Sequence, residues 1–278
     1  MKKILVPVDF SEPSGYALEV AATLAKKYNA EIVALHMMGL TDAVVTREEN
    51  KEIFEAIYYM KLAEKRFAEF LDKDFLEGVV VHDAVQNYKN FSELNNVAHE
   101  FGADIIIMGS HGSSGFKEVF VGSNTEKVVR TAEIPVLVIK HHIPNFNPRN
   151  GVFACDFLES SLKPYLKAKS LFDYLEIKMQ LLYVNLPENF RSTREMEERI
   201  LNFLQEAGET NPLQILNKVV QYNDYSVEAA IFAYSQVSNA DIIALPTHGR
   251  QGLAHFFSGS IGENIANHSD MPVLTFKM

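Results

Sequence analysis

Gly109-Ser110-His111-Gly112, a spacer of nine residues and then Gly122-Ser123 form the stretch of this chain with the clearest chemical potential. An apolar run, Ile105-Ile106-Ile107-Met108, leads into it, and an amphipathic helical pattern opens at Ser123. A strand that ends in glycines and hands over to a helix is a place where phosphate oxygens are held. The first helix amides lack partners there and carry the positive end of the helix dipole. Glycines at 109, 112 and 115 let the loop take positive φ and approach a ligand closely. A second reading stands beside this one: Ser123-Asn124-Thr125-Glu126 also fits a capping box, in which serine and glutamate satisfy free amides without a ligand. A cap alone needs no Gly-x-x-Gly upstream.

The elements that must position this loop follow from periodicity. Ile4 to Val8 is apolar without alternation, as a strand buried on both faces of a parallel sheet should be, and Asp9 ends it. Ser11, Glu12 and Pro13 are helix-start residues, and Ala17, Ala21, Leu24, Ala25 and Tyr28 mark one helical face. Strands are expected at Ile32–Met37, Val79–Val81, Ile105–Met108 and Pro135–Ile139. Helices are expected over 47–71, through Leu94, Val97, Ala98 and Phe101, and over Ser123–Ala132. The long helix should bury Ile53, Ile57, Met60, Ala63, Phe67 and Phe70. Alternating β and α elements predict an open parallel sheet covered by helices. Ligands gather in such a sheet where strand order reverses, beyond the carboxyl ends of the strands, and the first and fourth strands commonly flank that crevice. Asp9 and Gly109 would then face one ligand.

The pattern restarts after His141 to Asn150, a stretch with two prolines, three asparagines and no periodicity. Strands are expected at Gly151–Cys155, Met179–Val184, Leu213–Val220 and Ile242–Leu245. Helices are expected through Ala168 and Leu171, through Met196, Ile200 and Phe203, and through Ala229, Ile231 and Ala233. Residues 104–140 and 241–277 align without a gap, pairing His111 with His248, Gly112 with Gly249, Gly115 with Gly252, Gly122 with Gly259 and Ser123 with Ser260. Asp9-Phe10 likewise matches Asp156-Phe157. The reading is two tandem α/β domains, 1–143 and 151–278, joined by a linker over 144–150.

The formal charge of −10 and pI near 5.4 oppose binding to nucleic acid or to an anionic membrane, because the overall field repels phosphate. The lone cysteine, Cys155, excludes an internal disulfide, suits a reducing compartment and has the apolar neighbours of a buried thiol. No run approaches the roughly 20 apolar residues of a membrane span, and the apolar start is too short for a signal peptide, so a cytoplasmic location is expected. GxxxxGK[ST], GxGxxG and GxSxG patterns are absent, and His141-His142 has no partners at metal-ligand spacing. No catalytic set emerges, and an enzyme is not expected.

With these residues in view, the chain resembles the universal stress protein family, whose nucleotide-binding members carry G-x2-G-x9-G-[ST]. Gly109, Gly112, Gly122 and Ser123 fit that pattern at each position. Ile4-Leu5-Val6-Pro7-Val8-Asp9-Phe10-Ser11 is similar to the family's first strand, and Leu35-His36-Met37 to its second. The resemblance implies a stress-response regulator built from two tandem copies of an open five-stranded parallel sheet sandwiched by helices, which binds ATP or AMP, with Mg2+ arriving on the polyphosphate. Carried over, Pro7, Val8, Asp9 and Met37 would hold adenine, and Met108, Gly109, His111, Gly112 and Gly115 would line the ribose and phosphates. Gly122, Ser123 and Asn124 would take the outer phosphates. Family pairing through the fifth strand implies a homodimer or an intramolecular pseudo-dimer. In the second half, Asp156, Val184, Gly249, Arg250, Gly259 and Ser260 are the candidates. There Pro246 departs from the first glycine, which removes an amide and fixes φ.

Overall fold

Ile4, Leu5 and Val6 are wholly enclosed, so the first strand lies between two packed layers. Burying each such side chain contributes about 1.5–3 kcal/mol. The computed structural model describes residues 1–39, 49–88, 93–110, 123–247 and 269–278. The chain divides into two units, Met1–Phe146 and Asn147–Met278.

The first unit runs β1 (Lys3–Pro7), α1 (Glu12–Tyr28), β2 (Glu31–Gly39), α2 (Glu49–Phe70), β3 (Val81–Tyr88), α3 (Leu94–Phe101), β4 (Ile105–Gly109), α4 (Ser123–Thr131) and β5 (Val136–Ile139). Its strands stand in the order β3-β2-β1-β4-β5, each pair parallel. The chain steps outward from β1 to β3, then returns to lay β4 on the other side of β1, with Ile4 against Ile105 and Leu5 against Ile106. Strand order therefore reverses between β1 and β4. Successive strand residues face opposite layers. Leu5, Val33, Leu35 and Ile106 pack with Leu94, Val97 and Val128 of α3 and α4.

Local sequence explains where α1 begins and ends. Ser11 caps it by accepting from the Ser14 amide, a proline stands in its first turn, and Asn29 closes it in the left-handed conformation at φ 52°. In α2, Ala63 and Phe67 are buried as the periodicity predicts, but Met60 is half exposed. The side chains of Ile53 and Ile57 lie outside the described residues, as do positions 47 and 48 of the expected helix.

The third strand lies further on than Val79–Val81. It occupies Val81–Tyr88, where His82 and Asp83 are exposed. As the edge strand of this unit it has one neighbour, so it carries no continuous apolar run.

The second unit runs β6 (Asn150–Ala154), α5 (Leu162–Tyr174), β7 (Lys178–Asn185), α6 (Thr193–Glu206), α7 (Pro212–Leu216), β8 (Val220–Asn223), α8 (Val227–Val237), β9 (Ile242–Thr247) and β10 (Val273–Lys277). The order β10-β9-β6-β7-β8, again parallel, repeats that of the first unit. Leu213–Val220 is not one strand. Pro212 stands in the first turn of a short helix, since its fixed φ suits that turn and its missing N–H costs nothing there, and the strand starts only at Val220. Cys155 is buried, and its burial with the nearby Asp156 charge pushes the thiol well above its ordinary pKa.

Candidate functional site

In the first unit the ends of β1 and β4 meet the start of α1. Asp9, just past β1, accepts through Oδ1 from the Ser11 amide at 3.1 Å and from the Ser11 hydroxyl. Within this Asx turn Phe10 stands in the left-handed region, at φ 63°. The Phe10 ring is thereby turned onto His36 at 4.6 Å, Phe67 at 5.1 Å and Phe70 at 5.6 Å, with the Arg66 guanidinium 5.0 Å from its centroid. Aromatic contacts of this kind add about 0.5–1.5 kcal/mol each beyond the area they bury, enough to hold the unfavourable φ.

His36 closes the floor of this corner. Its Nδ1 lies 2.8 Å from the Val8 carbonyl, which can only accept, so Nδ1 carries the proton. The Val8 amide in turn donates to Leu35 at 2.8 Å. Pro7, Val8 and Met37 are thus brought to the same end of the sheet. Met37 is half-buried against the core, and Met108 is buried.

Gly109 is packed from the other side. A Cβ there would stand 2.7 Å from the carbonyl carbon and oxygen of Pro13. Glycine at this position lets the first turn of α1 rest on the end of β4. Ser110 donates to Ile139 at 3.0 Å, and the buried Thr125 hydroxyl donates to the Gly109 carbonyl at 3.0 Å. Thr125 ties the start of α4 back to the end of β4. Asn124 is exposed in the first turn of α4, beside Ser123, which opens that helix. Glu126 lies 3.6 Å from Arg130. His111, Gly112, Gly115 and Gly122 lie outside the described residues, as does the side chain of Ser123.

The second unit repeats the aspartate turn with different neighbours. Asp156 Oδ1 accepts from the Leu158 amide at 3.1 Å and the Ser161 hydroxyl at 2.8 Å. Phe157 is left-handed at φ 54°, and its ring meets Phe203 at 5.2 Å and Tyr183 at 6.0 Å. Asp156 and Val184 line one small cavity of 30 Å3 together with Cys155, Val227 and Ile231. The cavity is small and its lining is largely apolar. Pro246 sits inside β9, opposite Phe276. The segment from Glu159 to Ser161, matching the start of α1, is a 3-10 turn, and α5 begins only at Leu162. Gly249, Arg250, Gly259 and Ser260 lie outside the described residues.

Reasoning from the sequence missed Phe10, Ser11 and Thr125 as builders of this corner. The repeated Asp-Phe pair was a signal for the first of them. Thr125 had none, because position 262 of the second half is glycine. Among the described residues, no group of three or more His, Cys, Asp or Glu side chains could hold a metal ion.

A family model for the universal stress protein family matches residues 1–140 and again 152–277. A universal stress protein of Methanocaldococcus jannaschii is 34% identical over 153 residues, 50% of this chain and 94% of that protein. The universal stress protein YxiE of Bacillus subtilis is 32% identical over 152 residues, 50% of this chain and 98% of its own. The crystal structure of a universal stress protein from Archaeoglobus fulgidus superposes with a TM-score of 0.66 and 21% identity, covering 99% of this chain and 96% of that one, a likeness of fold. Both halves carry the family's match and the same strand order, and the chain belongs to the universal stress protein family as a tandem two-domain member.

Proposed function

We propose that the first unit binds an adenine nucleotide, ATP or AMP, in the crevice beyond β1 and β4, and that the chain serves as a nucleotide-dependent sensor or regulator in the stress response. The observation that carries this reading is the juxtaposition at the strand-order reversal. The Asp9 turn, the end of β4 at Gly109 and the start of α4 meet there, stapled by the Thr125 hydroxyl.

Each part has a matching chemistry. A carboxylate at Asp9 accepts from the exocyclic amino group of adenine, and Pro7, Val8 and Met37 supply an apolar edge for the base. Met108, Gly109, His111, Gly112 and Gly115 follow the ribose and phosphates. Gly122, Ser123 and Asn124 would take the outer phosphates, because the first amides of a helix have no partner within it. Mg2+ would enter on those phosphates.

The second unit is the weaker candidate. Pro246 has no amide to offer, Asp156 Oδ1 already accepts from both the Leu158 amide and the Ser161 hydroxyl, and the cavity beside it is small and apolar. Asp156, Val184, Gly249, Arg250, Gly259 and Ser260 would hold a nucleotide there if that cavity opens. A cytoplasmic location, and pairing either of two copies or of the two halves of one chain, belong to the same proposal.

Isothermal titration of the full chain with ATP and Mg2+ tests this reading. Binding with a stoichiometry near one, abolished by Gly122→Val, is the expected result. No heat with the unmodified chain, in a sample shown free of copurified nucleotide, would leave an interaction scaffold instead. Steady phosphate release would point to a hydrolase.

A further inference from the structure

The first unit holds another cavity, of 340 Å3, between the first turns of α1 and the chain that leaves α2. Four aromatic rings line it, Phe10, Tyr16, Phe70 and Phe75, together with two carboxylates, Glu12 and Glu19. Both carboxylates are held in place. The Tyr16 hydroxyl donates to Glu12 Oε1 at 2.5 Å, and His142 Nε2 lies 2.8 Å from Glu19 Oε2. The His142 ring also leans on Tyr16, with centroids 5.4 Å apart and planes at 31°. Lys73 completes the charged lining and is exposed.

Gly15 points to a use for this space. Glycine is a poor helix residue, yet it stands in α1 where neither conformation nor crowding calls for it. Its φ is not positive, and an added Cβ would meet only Phe70 Cε2, at an ordinary 4.0 Å. What its missing side chain does is leave the wall of the cavity bare.

We propose that this cavity binds an organic cation, a protonated amine on an aromatic or similarly flat apolar body. The ammonium lies toward Glu12 and Glu19, and the body lies among the rings. Ring faces carry partial negative charge and attract a cation, and the carboxylates add to that attraction. The apolar body then displaces water from Phe70 and Phe75. The site is separate from the nucleotide crevice and does not depend on it, although Phe10 and Ser11 belong to the turn that Asp9 begins.

The test is an NMR titration of the isotope-labelled full chain with 2-phenylethylamine, and in parallel with 2-phenylethanol, its neutral analogue. Saturable shifts centred on the amides of Gly15 and Tyr16 are expected, with the alcohol roughly tenfold weaker. Gly15→Met fills the cavity with a better helix former, so the variant should stay folded and lose the shifts. Glu19→Gln should keep the fold and weaken amine binding by about fivefold while leaving the alcohol unchanged. Absence of saturable shifts, equal affinity for amine and alcohol, or amine binding untouched by both substitutions would overturn the proposal.

Discussion

At Gly109 a methyl group would meet the carbonyl carbon and oxygen of Pro13 at 2.7 Å, so β4 and α1 leave no room for a side chain between them. This glycine is required by the protein's own packing before any ligand is considered. Gly109→Ala should lower stability by about 1–3 kcal/mol, the usual range for overpacking, and equilibrium urea unfolding measures it. The second unit has proline at the matching place, and the start of its helix gives way to a 3-10 turn. Asp9 combines two roles as well, since one oxygen anchors the Ser11 turn and the carboxylate is the proposed acceptor for adenine. Asp9→Asn preserves an oxygen for the turn but removes the charge, so ATP affinity should fall about tenfold with little change in Tm. An equal loss of Tm and affinity would instead make Asp9 a structural residue.

Between elements, the bond from Thr125 to Gly109 joins α4 to β4. Thr125→Val keeps the shape but loses the hydroxyl, and should cost about 1 kcal/mol of stability by urea unfolding. A second tie holds the segment after α6. The Tyr165 hydroxyl and Lys169 ammonium both donate to Glu209 at 2.6 Å, with the Glu209 side chain 5% exposed. Burial opposes ionisation of Glu209, but the bonds from Lys169 and Tyr165 outweigh it and hold the carboxyl below its ordinary value. Burial, followed by the bond to Glu209, pushes the Tyr165 hydroxyl up. A lowered folded pKa means stability that is present above the unfolded value and lost as pH falls through the folded one. Glu209→Gln should therefore destabilise the chain by about 1–3 kcal/mol at neutral pH. The gap between variant and parent should narrow below the carboxylate range of about pH 4. A gap that stays constant across that range would remove the carboxylate from this account.

For the molecule as a whole, the two units share a strand order but differ in what lies at the ends of their central strands. If one unit alone binds nucleotide, ATP stabilises one unit alone. At a hundredfold excess over Kd the linkage is worth about 2.7 kcal/mol. Scanning calorimetry with saturating ATP should then raise the part of the unfolding profile that Gly109→Ala lowers and leave the rest in place. Uniform movement of the whole profile would mean two sites or a single cooperative unit. Among the described residues no helix is long and apolar enough to cross a membrane. Strand positions in both halves were legible because enclosed parallel strands must be apolar on both faces, as at Ile4–Val6 and Ile242–Leu245. Edge strands escape that demand, so the bounds of β3 and β8 do not follow from apolar runs.

From its amino acids alone, the chain declares a doubled α/β fold and the positions of Asp9, Gly109 and Ser123. Periodic burial and repeated spacing are properties of local sequence. The tertiary structure decided that Gly109 is needed against Pro13, that His36 fixes the Val8 carbonyl and that Thr125 ties α4 to the end of β4. It also revealed the aromatic, acidic cavity beside Gly15. These are contacts between residues that no spacing rule relates: the pairing of β1 with β2 brings His36 to Val8, and the return of β4 to the flank of β1 brings Gly109 under the first turn of α1.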